Sequence, residues 1–218
     1  MKRKTFLKSL LSLAAATALP IATPVLAEDA IKIGEINHYK RLAAFTGPYK
    51  QGIELALEEV NGSGGVLGRP LEFVFRDDQG KPGEAIKIAE ELMTSEGTAM
   101  ITGTILSNVG LAISSHAAEK GYVYLASEPL ADALVWSAGN PYTFRLRAST
   151  YMQAAMLAEQ AAKTDAVKYA TIAPNYAYGK DAVAAFKKAL SALKPDVEFV
   201  GEQWPGVFKI DAGAEVQA

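Results

Sequence analysis

The sequence predicts an α/β protein made of doubly wound parallel-sheet units, and three observations carry that prediction. Apolar runs of strand length alternate with stretches whose apolar residues recur every three to four positions. Half of the 218 residues are hydrophobic and 21% are charged, a composition that buries a sizeable core. Eighteen Gly and ten Pro supply many turns, while the absence of Cys leaves stability to the core alone. That absence also removes Cys nucleophiles, thiolate zinc sites and iron–sulfur clusters from consideration.

The chain opens with a segment unlike the rest. Residues 1–27 hold Lys2, Arg3, Lys4 and Lys8 but no acid, followed by an apolar stretch over 10–19 and by Val25-Leu26-Ala27. Basic start, short apolar run and small residues at the two positions a peptidase reads predict a cleavable export signal, cut after Ala27. Pro20 and Pro24 interrupt an apolar run already too short to span a bilayer. The net charge is −2, from 22 basic and 24 acidic residues. Removing the four bases of the signal leaves 18 against 24, a net of −6, so nothing points to nucleic acid as a partner.

From residue 28 the elements follow in order. Residues 30–36 predict the first strand. Ile53, Ala56, Leu57 and Val60 share one face of a helix over 49–60, which ends at a glycine-rich cap, 61–65. A second strand is expected at 71–76, with a turn at 77–80. Pro82 then opens a helix whose buried stripe is Ala85, Ile88, Ala89 and Leu92. Strand 99–102, helix 107–120 and strand 122–125 complete three strand–helix units, the content of a doubly wound half. Residues 139–147 read as irregular. Helix 150–163, strand 169–173, helix 181–193 with Ala182, Ala185, Phe186, Ala189 and Leu193 inward, and strand 197–203 begin a second unit. Asp211 reads as the cap of one more helix.

Several strings along these elements combine into a pattern. Thr46-Gly47-Pro48-Tyr49 through Gly52, Leu55-Ala56, Glu58-Glu59-Val60-Asn61, the run from Gly64 to Leu71 and Asp77-Asp78 together resemble the periplasmic substrate-binding proteins of ABC importers, of the branched-chain amino acid (Leu/Ile/Val) type. Gly103 with Ser107, the string from Gly139 to Arg145, and Tyr178-Gly179 extend the likeness. The resemblance implies two lobes of the type I periplasmic binding protein fold, joined by crossing strands, with ligand held between them. It divides the chain into a signal at 1–27, a first lobe at 28–147 and the start of a second at 148–218, the remaining elements of the second lobe and the segments returning to the first lying beyond it.

The same resemblance marks site residues. Ser107, where a strand gives way to a helix, matches the family's ligand-binding serine; helix N–H groups and a hydroxyl suit an anion there, whereas sequence alone makes it a cap of its own helix. Ser127 and Glu128 follow the fourth strand, at the edge where parallel sheets place ligands, and Glu128 offers an acceptor for an ammonium group. Phe45 and Tyr178 match aromatics that close on the ligand from opposite lobes. Tyr39, Tyr151 and Tyr176 read instead as cover for the core. His38 and His116, the only histidines, lack a third ligand in a recognisable spacing. His38 reads as solvated and His116 as a packed or surface residue. Turn and cap chemistry accounts for Asp77-Asp78, so neither metal nor cofactor is expected.

The expectation is an extracytoplasmic protein of the periplasm with no catalytic role. It would capture a small organic solute by lobe closure and hand it to the membrane subunits of an ABC permease, acting as a monomer. Arg41, Arg145 and Arg147, with the aromatics, favour an apolar or aromatic carboxylate beside a branched-chain amino acid. A ligand-sensing domain that docks on a receptor is the alternative within binding proteins. An exported α/β hydrolase would need a Gly-x-Ser-x-Gly elbow, and the sequence has none.

Overall fold

The structure is a computed structural model that describes residues 29–209 and 211–217; the export-signal reading lies outside them. Five strands form one parallel sheet: β1 (Ile31–Asn37), β2 (Leu71–Asp77), β3 (Met100–Gly103), β4 (Tyr124–Ala126) and β5 (Thr143–Arg145), in the order β2-β1-β3-β4-β5. This is a doubly wound order, with its switch point between β1 and β3. The helices between these strands are α1 (Ala43–Gly62), α2 (Pro82–Thr94) and α3 (Ser107–Lys120). After β5 come α4 (Thr150–Ala162), β6 (Lys168–Ile172), α5 (Ala177–Leu193), β7 (Glu198–Gln203) and α6 (Ala212–Gln217). Strands β6 and β7 pair in parallel as a separate sheet.

The core lies under the first sheet. Ile36, Ile101 and Tyr124 from the strands meet Ala85, Ala89 and Leu92 of α2 and Val109, Ile113 and Ala117 of α3, all fully buried. The stripe expected on α2, Ala85, Ile88, Ala89 and Leu92, is the buried face observed. Ile53, Leu57 and Val60 of α1 lie half-buried beside Ile33, Leu71 and Phe73 of β1 and β2. Gly103 has φ +111°, and a Cβ there would stand 2.0 Å from the Ile36 carbonyl oxygen, so the close approach of β3 to β1 at the switch point requires glycine.

Four expectations shift. Helix α1 starts at Ala43, six residues before the periodic stretch, and carries Pro48 inside it. Proline forfeits one helical hydrogen bond there, close enough to the first turn that the helix persists. Residues 143–145, read as irregular, are the edge strand β5, too short to show any alternation. Helix α5 begins at Ala177, and its buried side is Gly179, Val183, Ala185 and Leu190, with Leu193 exposed. Its inner face is therefore rotated from the one expected. Strand β4 covers 124–126, leaving Tyr122 as a buried loop residue.

Phe186 of α5 packs its ring against Tyr169 of β6 and Phe199 of β7, each at 6.3 Å between centroids. Alternate residues of both strands, among them Ile172 and Val200, remain exposed, so helix covers one face of this small sheet. Asp211 caps α6 as expected, its Oδ1 accepting from the backbone N–H groups of Gly213 and Ala214.

Candidate functional site

Parallel strands all point their carboxyl ends the same way, so the loops leaving them gather on one edge of each sheet. The edges of the two sheets face one another across a cavity of about 590 Å³. From the first sheet, the β1 exit supplies Leu42 and Phe45, the β3 exit Ile105, Leu106 and Ser107, the β4 exit Glu128 and Leu130, and the β5 exit Arg147. Pro174, Tyr176 and Tyr178 follow β6, and Gly206, Val207 and Phe208 follow β7. Among the fourteen described lining residues Glu128 is the one acid and Arg147 the one base, on a wall otherwise largely apolar.

A buried polar network backs this wall. Asn37, the last residue of β1, is fully buried and uses its whole amide. Its Oδ1 accepts from the backbone N–H of His38 at 3.0 Å and of Ile105 at 2.9 Å. Its Nδ2 donates to Glu128 at 2.5 Å and to Glu35 at 3.3 Å. Glu35 is 0% exposed, and loss of hydration pushes its carboxyl up to about 8, against hydrogen bonds from Tyr39 and Asn37 that favour the charged form. Burial raises Glu128 as well, while Asn37 and the Arg147 charge oppose the rise.

Four of the expected site residues, Phe45, Ser107, Glu128 and Tyr178, line this one cavity, although 45 and 178 lie on different sheets' edges. Phe45 is 65% exposed, an aromatic ring presented at the cavity. Tyr178 leans on Tyr176 at 5.9 Å between ring centroids. Ser107 is the first residue of α3 and does not cap it. Its buried Oγ instead accepts from the backbone N–H groups of Leu130 and Ala131, at 3.3 and 3.2 Å, pinning the β4 exit loop. The reading of Ser107 as a cap is thus replaced by a cross-loop anchor. Ser127 is not on the cavity wall; its hydroxyl pairs with Tyr49 at 2.8 Å.

Other readings change too. His38 is 5% exposed, buried rather than solvated. His116 is buried, its Nδ1 2.9 Å from the Tyr122 hydroxyl. Tyr39 reaches Glu35, Tyr151 rests on Trp136, and Tyr176 both packs on the core and lines the cavity. Of the three arginines only Arg147 reaches this cavity. Arg145 donates to the Ala131 carbonyl, and Arg41 lies over the Phe208 ring at 4.5 Å. Phe208, which no sequence signal marks, sits in the two-residue turn closed by the Gly206–Lys209 bridge, with φ +64°.

Gly179 explains how Tyr178 is delivered. It opens the first turn of α5 where a Cβ would stand 2.0 Å from the Pro174 carbonyl oxygen, so only glycine lets the helix start this close to the β6 exit.

A family model described as periplasmic binding protein matches residues 30–218. The Leu/Ile/Val-binding protein homolog 3 of Brucella melitensis is 29% identical over 187 residues, covering 85% of this chain and 50% of that protein. A solute-binding protein of an ABC transporter from Rhodopseudomonas palustris, solved with p-hydroxybenzoic acid, superposes with a TM-score of 0.77 at 25% identity, covering 87% of this chain and 50% of the other. Another from the same species, solved with benzoate, gives 0.75 at 25% identity, covering 86% and 52%. The chain spans about half the length of the relatives it matches.

Proposed function

The chain belongs to the periplasmic binding protein family, and from that footing we propose that it is the solute-capturing component of an ABC importer, without enzymatic activity, which takes an apolar or aromatic carboxylate from the periplasm and delivers it to the permease. One observation carries the ligand class: a cavity of about 590 Å³ between two sheet edges, walled by Phe45, Tyr176, Tyr178 and Phe208, with Arg147 as the one cation among the described lining residues. Aromatic walls on both sides match the face of a ring. The Arg147 guanidinium offers a carboxylate two parallel donors, and Ser107 adds a hydroxyl at the start of α3.

An amino acid would also need an acceptor for its ammonium group. Glu128 is the carboxylate in place, but Asn37 already donates to it, which weighs toward a ligand with no ammonium. The Brucella melitensis relative supports the second reading, a branched-chain amino acid. Ligand touching both walls favours the closed arrangement by the contacts it gains there, so capture and closure are one step.

Titration calorimetry with benzoate, 4-hydroxybenzoate, leucine, isoleucine and valine separates the readings. Micromolar binding of the aromatic acids with none of the amino acids is the expected outcome. Binding of leucine but not of benzoate overturns the aromatic-acid reading and leaves the solute-binding one standing.

A further inference from the structure

We infer that His38, Asp77 and Asp78 form a site for a divalent transition-metal ion of the zinc type, beside the apolar cavity and independent of the solute it takes. Strand register builds it. Asn37 and Asp77 are paired across β1 and β2, and the Asp78 N–H donates to the Asn37 carbonyl at 3.0 Å, so the residues just past both strand ends are held side by side. His38 Nδ1 lies 3.6 Å from Asp77 Oδ1 and 3.9 Å from Asp78 Oδ1, and one donor atom from each residue falls within 4.8 Å of the others.

Two atoms of the cluster are buried without a hydrogen bond. His38 is 5% exposed and Asp78 0%, yet His38 Nδ1 and Asp78 Oδ2 make no hydrogen bond. Buried polar atoms of this kind are uncommon and costly unless something pairs them. The remaining carboxylate contacts fit a supporting shell: Gln79 N–H donates to Asp77 Oδ1, Lys40 N–H to Asp77 Oδ2, and Gly80 N–H to Asp78 Oδ1. Each orients a ligand and leaves a lone pair for the ion. The nearby cations are engaged elsewhere, Arg41 over the Phe208 ring and Lys81 on the Gln79 side chain.

The donor set selects the ion. Two carboxylates neutralise a divalent charge, and an imidazole favours zinc and its neighbours over calcium or magnesium, which take oxygen ligands. Tetrahedral zinc with bonds of roughly 2.0 to 2.2 Å sets its donors about 3.4 Å apart, so the 3.6 and 3.9 Å gaps from His38 Nδ1 close with shifts of up to about half an ångström. His38, Gln79 and Gly80 border a cavity of about 420 Å³ beside the cluster, room for the water that a zinc site with three protein ligands keeps in its fourth position.

Titration calorimetry and thermal shift of the tag-free, chelator-treated protein with zinc chloride test the site, with calcium chloride as the control. The expected result is 1:1 zinc uptake in the micromolar range, a rise in Tm reversed by chelator, and no rise with calcium. His38→Ala and Asp77→Asn should each weaken uptake at least tenfold, and His116→Ala should leave it unchanged. Asp77 is partly exposed, so Asp77→Asn keeps the test valid should His38→Ala fail to fold. No saturable zinc uptake, or uptake untouched by Asp77→Asn, overturns the inference.

Discussion

The Asn37 side-chain amide donates to the Glu128 carboxylate at 2.5 Å, joining the end of β1 to the β4 exit loop across 91 positions of sequence. The same amide holds Glu35, His38 and Ile105, so a single buried side chain sets three of the loops around the cavity.

Asn37→Ala removes every one of those bonds and strands the Ile105 N–H and the two carboxylates. Leaving buried groups unsatisfied should cost about 2 to 3 kcal/mol of stability. Urea unfolding of variant and parent measures it, and an unchanged midpoint would show the network to be incidental.

Glu35 makes stability fall with rising pH. Its carboxyl is near 4.5 in the unfolded chain and about 8 when folded, so between those values the folded state holds a proton that the unfolded state lacks. The stabilisation is full below about pH 4.5 and is lost as pH climbs through 8, at up to about 1.4 kcal/mol per pH unit. Glu35→Gln keeps the shape without the titration. Its Tm should match the parent at pH 5 and exceed it at pH 8.5; parallel curves for the two proteins would refute the assignment.

Ser107→Ala should act twice. Without the hydroxyl, the N–H groups of Leu130 and Ala131 lose their acceptor, a cost of about 1 to 3 kcal/mol in the ligand-free protein. Affinity for an aromatic carboxylate should fall as well, by about tenfold, if the hydroxyl reaches the ligand. Unfolding and calorimetry on the same preparation separate the two effects.

Phe45→Ala should leave the ligand-free Tm within about 1 °C, because so exposed a ring contributes little to the fold. Together with Tyr178→Ala it should weaken binding of an aromatic acid by about tenfold to a hundredfold. Full affinity in both variants would remove the aromatic walls from the proposed mechanism.

Elements with a strong period were legible from sequence, as the stripe on α2 and the start of α3 at Ser107 illustrate. What escaped had no local signal. Thr143–Arg145 is a strand because β4 offers it an edge, not because three residues declare one. Leu193 lies outside the buried face of α5 because the helix begins four residues early and turns a different side to β6 and β7. Likeness picked out Phe45, Ser107, Glu128 and Tyr178, which line one cavity, and Ser127, which does not; adjacent residues leaving a strand face opposite ways, so likeness alone could not separate Ser127 from Glu128. His38 looked isolated because its partners are 39 and 40 positions away, a distance that only the pairing of β1 with β2 closes.

Trp136 rests on Tyr151 at 5.6 Å between ring centroids. Tyr151 is on α4, the first element beyond the five-stranded sheet, and its N–H is held by Asp132 while that of Thr150 is held by the Leu130 carbonyl. Leu130 in turn is pinned by Ser107. A disturbance at the cavity wall therefore reaches an indole through three successive contacts. The only other tryptophan, Trp204, lies under the Lys180 ammonium. If the cavity takes the proposed solute, Trp136 fluorescence in a Trp204→Phe form should change on binding, and stopped-flow recording would time it without a dye; no change would show that the contacts do not carry the signal.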